Sequence, residues 1–164
     1  MSFDARWLDV ELEIADAISH FDKAVRLHAM GGFEAAGILG YQASMAFMHA
    51  MQSGHTSLEG ALLRVLAILG ESRPTGERWH EDLIRRAANP LPGELARPAI
   101  LPRRIVADVE ETRRFRNKAT RGYNSFDPSR AGPAIEAAGR LAANLAGAIA
   151  EFRRALDAPD EAAP

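Results

Sequence analysis

Residues 113–121 read Arg-Arg-Phe-Arg-Asn-Lys-Ala-Thr-Arg, carrying Arg113, Arg114, Arg116, Lys118 and Arg121 with no acid among them. Guanidinium and ammonium groups at this density can grip phosphate, since each is a permanent cation with several donors. Arg113 and Lys118 are candidate phosphate-binding residues. Over 103–130 there are eight basic and four acidic residues, although the whole chain has a net charge of −2. At 100° per residue, Arg116 falls within about 20° of Ile105 on a helix, on the face also holding Val109 and Thr112. An arginine pointing at a core needs an internal carboxylate or an anionic ligand in a cleft. The same run also reads as a solvated helix end, where the helix dipole favours positive charge.

The elements that must position this cluster are helical. Apolar residues make up 47% of the 164 residues and charged residues 26%, a balance that gives one globular domain rather than a disordered chain. Trp7, Val10, Ile14, Ala17, Ile18, Phe21 and Val25 recur at steps of three or four, predicting a first amphipathic helix closed by Gly31-Gly32. The apolar stretch 33–69 contains no proline and many strong helix formers. Within it, Gly54-His55-Thr56-Ser57 could mark a break, with Thr56-x-x-Glu59 as a capping box for a fresh helix. A single continuous helix over the whole stretch is the competing reading. Met45, Met48 and Met51 should be core residues, and Gly37 and Gly40 could permit a close helix–helix approach or mark a tight neighbour.

Residues 70–76 read as a loop and 77–88 as a short helix. Four prolines between 89 and 102 forbid regular helix there, and Pro102 suits the start of a helix reaching about residue 121. A turn region covers 122–132. Ile135, Ala138, Leu141, Leu145, Ala148, Phe152 and Leu156 form the stripe of a last helix over 133–156. The expected fold is an all-α antiparallel bundle, four main helices plus a short one, in a single domain over 1–156 with a frayed tail at 157–164.

With no cysteine, thiolate chemistry is excluded. His49 and His55 are six apart, and no helical face aligns them with a third ligand, so neither a metal nor a cofactor is expected. The opening MSFDARWLDVELE lacks a basic flank and apolar run, and no stretch approaches the roughly 20 residues of a membrane span. A cytoplasmic protein that does not engage a membrane is the expectation.

The segment Arg-Asn-Lys-Ala-Thr-Arg-Gly-Tyr at 116–123 resembles the Arg-x4-His-x-Tyr motif of HepT-like proteins, in the HEPN superfamily of bacterial toxin–antitoxin ribonucleases. The flanks agree in order and spacing. Pro74-Thr75-Gly76-Glu77-Arg78-Trp79-His80, Arg97-Pro98-Ala99-Ile100-Leu101, Phe115-Arg116 and Phe126-Asp127 are similar to elements of one HepT-like branch, over roughly 33–156.

The resemblance implies a HEPN-like helical bundle that forms a homodimer, cleaves RNA without metal and is neutralised by a nucleotidyltransferase antitoxin. It implies that Arg116 binds the scissile phosphate and that Tyr123 is the hydroxyl open to adenylylation. Arg121 occupies the position of the catalytic histidine. Asn117 stands where that branch often carries another. Neither exchanges protons near neutral pH, so Arg116, Asn117 and Arg121 make a site weak or inactive as a nuclease. His20, His28, His49, His55 and His80 read as packing or surface residues. His80 belongs to the family-like element, and its ring is expected to bond a nearby backbone group. Three functions therefore stand: a HepT-like toxin component, a non-enzymatic RNA-, nucleotide- or nucleotidyltransferase-binding relative, and a plain helical interaction module.

Overall fold

Long runs of helix formers with apolar residues every three or four positions fold as the sequence predicts. In the computed structural model, residues 4–121 and 127–158 are described. They form α1 (Arg6–Met30), α2 (Ile38–Ile68), α3 (Trp79–Ala88), α4 (Arg103–Arg121) and α5 (Gly132–Asp157), with a 3-10 turn at Pro128–Arg130. Among the described residues, the only extended pairing is an isolated antiparallel bridge between Leu91 and Arg97. None of these helices is long and apolar enough to cross a membrane.

Helix directions follow from the pairs that touch. Glu13 meets Arg64, Phe21 meets Gly54 and His28 meets Phe47, so α1 and α2 run antiparallel. Trp7 meets Phe152 and Val25 meets Gly139, which sets α5 antiparallel to α1. Arg104–Glu151 and Asp108–Arg140 contacts set α4 antiparallel to α5. The core between them is built from Phe21, Phe47, Met48, Met51, Leu62, Ile105, Val109, Leu141 and Leu145, all nearly inaccessible to solvent.

α2 is one unbroken helix of 31 residues, through the possible break at residues 54–57. A Cβ on Gly54 would lie 2.7 Å from the Phe21 ring, so the absent side chain is what lets α1 and α2 close together. A mid-helix glycine costs about 1 kcal/mol. Burying a phenylalanine recovers about 1.5–3 kcal/mol, and packing wins. The close approach is therefore at Gly54, not at Gly37 or Gly40. Gly37 starts the helix at φ 68° with nothing near its Cβ position, and Gly40 sits over the backbone of Ala35 in the preceding turn. The methionines behave as expected: Met48 and Met51 are buried, and Met45 packs against the core.

α3 and the proline-rich connector sit at one end, against α2 and α4. Arg97 staples the connector. It donates to Glu71 from Nε (2.5 Å) and Nη2 (3.2 Å), and to the carbonyls of Asn89, Pro98 and Arg86. The amide of Leu101 donates to Ala87 O at 2.9 Å, and buried Ile100 and Leu101 fill the space under α3. This fastening fixes where α4 begins and where α3 stands beside it.

Candidate functional site

The site grows from one buried acid. Glu59 lies one helical turn after His55 on α2, and the i,i+4 spacing places both on the same inward face. The Glu59 side chain is 4% exposed and that of His55 is fully buried. His55 Nε2 donates to Glu59 Oε1 at 3.1 Å, and His55 Nδ1 lies 2.9 Å from the Thr112 hydroxyl on α4. Two further groups arrive from other helices. His80 Nδ1 of α3 lies 2.5 Å from Glu59 Oε1, and Arg116 Nη1 of α4 donates to Glu59 Oε2 at 3.1 Å.

The His80 tautomer follows from this network rather than from a visible hydrogen. A contact of 2.5 Å with a carboxylate oxygen requires a proton between the atoms, so Nδ1 carries it and donates to Glu59. Arg116 Nη1, 3.0 Å from the same nitrogen, is then a close neighbour and not its hydrogen-bond partner. The imidazole is further held by the indole of Trp79, with ring centroids 3.6 Å apart, and Trp79 lies beneath the guanidinium of Arg73. Burial alone would raise the Glu59 carboxyl. The hydrogen bonds from His55 and His80, with the Arg116 charge, overcome that and hold it below the ordinary value.

A cleft of about 460 Å3 opens over this cluster, lined by Arg78, His80, Arg113, Arg116, Asn117 and Arg121, with Glu77, Glu81 and Thr120 at its edges. Four arginines face two glutamates. Arg113 is engaged by Glu110 at 2.9 Å and by Glu81 at 3.3 Å. Arg78 and Arg121 form no ion pair among the described residues. Arg116 uses only Nη1 on Glu59. No described residue accepts from its Nε or Nη2, and the side chain is 22% exposed. Its guanidinium is anchored at one corner, with donors to spare.

The structure thus brings Arg113, Arg116, Asn117 and Arg121 together and sets Lys118 apart. Lys118 lines a larger cavity of about 610 Å3 on the other side of α4, with Arg114, Phe115, Arg130 and Ala134, although Asn117 and Arg121 border both spaces. Tyr123 and Phe126 lie outside the described residues. The internal carboxylate required by the helical angle of Arg116 is Glu59, which sequence reading placed in a capping box. His80 departs from expectation too: its ring bonds this carboxylate and not a backbone group. The His55/Glu59 spacing within one apolar helix was the available signal, because an inward acid needs partners.

The model of the family described as HepT-like protein matches residues 46–156. No curated protein matches the chain, and no solved structure does.

Proposed function

The chain belongs to the HepT-like family, and from that premise we propose that it is the RNA-binding, HepT-type component of a toxin–antitoxin module. One observation carries this reading: Arg116 is clamped by Glu59 at Nη1 while its remaining donors open to a cleft that Arg78 and Arg121 also border. A guanidinium held this way is preorganised for a phosphate oxygen, and the neighbouring charges extend the anionic track. Arg121 strengthens phosphate binding at the motif's histidine position but cannot relay a proton. Cleavage that depends on that position is therefore weak or lost.

The module reading extends to partners. A homodimer would bring two clefts together, and a nucleotidyltransferase antitoxin would adenylylate Tyr123. Two measurements test the reading. Fluorescence anisotropy with labelled single-stranded RNA should show salt-sensitive binding that Arg116→Ala weakens. Binding that Arg116→Ala leaves unchanged would refute the site. Tyr123→Phe should abolish labelling by the nucleotidyltransferase of the same module, and undiminished labelling would place the modified group elsewhere.

A further inference from the structure

We propose that His80, on α3 and outside the motif of α4, exchanges the proton when RNA is cleaved in this cleft. The inference rests on the phosphate-binding reading above and adds the group that the motif lacks. Among the described residues, His80 is the only imidazole lining the cleft. His55 is sealed beneath it, and His20, His28 and His49 belong to other parts of α1 and α2.

Three features suit His80 to the role. Its Nδ1–H is committed to Glu59, so the lone pair lies on Nε2, for which no described residue serves as partner. A carboxylate holding one ring nitrogen fixes the tautomer and leaves the other nitrogen as the base, the arrangement general bases use in acyl-transfer triads. The ring also lies against Arg116, whose Nη1 is 3.0 Å from His80 Nδ1, so a phosphate gripped by the free edge of Arg116 has its ribose within reach of the imidazole. Finally, Trp79 and Glu59 restrain the ring from two directions, while 22% of the side chain remains open to the cleft.

The step balances without metal or co-reactant. His80 Nε2 takes the proton of the ribose 2′-hydroxyl, the 2′-oxygen bonds to phosphorus, and the P–O5′ bond breaks. The leaving 5′-oxygen takes a proton from water, and the hydroxide so formed removes the proton from His80. The products are a 2′,3′-cyclic phosphate and a free 5′-hydroxyl.

The test uses the full chain, a labelled single-stranded RNA with a chelator present, and the 2′-O-methyl form of that RNA as an uncleavable binding probe. The wild-type protein should bind the probe and convert the RNA to cyclic-phosphate ends. His80→Asn, whose amide places an N–H where Nδ1–H stood against Glu59, should bind the probe as before and cleave about 100-fold more slowly. His80→Ala, checked for folding by circular dichroism, should regain cleavage when imidazole is added. Cleavage by His80→Asn at the wild-type rate, or a folded His80→Ala that imidazole does not revive, overturns the proposal. Wild-type protein that binds the probe without cleaving RNA overturns it as well, and leaves the phosphate-binding reading intact. Failure to bind the probe overturns that underlying reading.

Discussion

Arg97 and Arg116 each reach a buried glutamate at the same end of the bundle, yet their surroundings differ. Arg97 is 3% exposed, and all five of its N–H bonds are used, two on Glu71 and three on carbonyls of α3 and the connector. Arg116 meets Glu59 through one nitrogen and keeps the rest towards a cleft. A saturated arginine is a fastening, whereas a partly used one is a binding group. Counting used donors separates the two where burial of the carboxylate partner does not, since Glu71 and Glu59 are 9% and 4% exposed.

The largest effect should come from the fastening. Arg97→Ala leaves Glu71 buried without its cation, and urea unfolding should show a loss of about 3–5 kcal/mol. RNA binding per folded molecule should not change. A loss below about 1 kcal/mol would erase the distinction, because Arg97 would then contribute no more than a surface pair.

Arg116→Ala should act in the opposite sense. RNA affinity should fall by about 1.5–3 kcal/mol, the value of hydrogen bonds to a charged group, while stability falls by less than for Arg97→Ala, because His55 and His80 still donate to Glu59. If unfolding suffers more than binding, Arg116 is a second fastening.

Acid sharpens the comparison further. The Glu59 carboxyl is held below the ordinary glutamate value of 4.5 in the folded chain. The unfolded chain therefore takes up this proton first, so the contribution is complete above that value and is lost as pH falls through the lower folded one. Denaturation followed between neutral and strongly acidic pH should show a shallower decline for Glu59→Gln than for the wild-type protein. Parallel curves would mean that Glu59 is not held by its three partners. The smallest effect belongs to the exposed pair Arg104–Glu151, each half exposed, where Arg104→Ala should change stability by less than about 0.5 kcal/mol.

Much of the architecture was legible in the sequence because amphipathic period, glycine caps and prolines act locally. The periodicity of α1 and α5, the proline-bounded start of α4 and the short α3 all follow from such signals. α2 was harder. Thr56-x-x-Glu59 imitates a helix start, but the chain continues as helix because Gly54 admits Phe21 and because His55 and Glu59 find partners on α3 and α4. Those partners are distant in sequence, 21 residues for His80 and 57 for Arg116, so local pattern could not identify them. The angle of Arg116 announced that an acid should exist without saying which one. His80 was visible as a member of a family-like element, but its position against Glu59 depends on the fastening of the connector, which no short window contains.

The single turn separating His55 from Glu59 also constrains how the gene can change. Adding or deleting one codon between them would rotate every later side chain of α2 by about 100°. Glu59 would swing off the shared face, abandoning His80 and Arg116 together while the helix itself survived. The exposed turn at 92–96, between the bridged Leu91 and Arg97, can vary in length by bulging into solvent. The middle of α2 has no such outlet, so the spacing between these two residues is expected to stay fixed wherever this three-helix junction is kept.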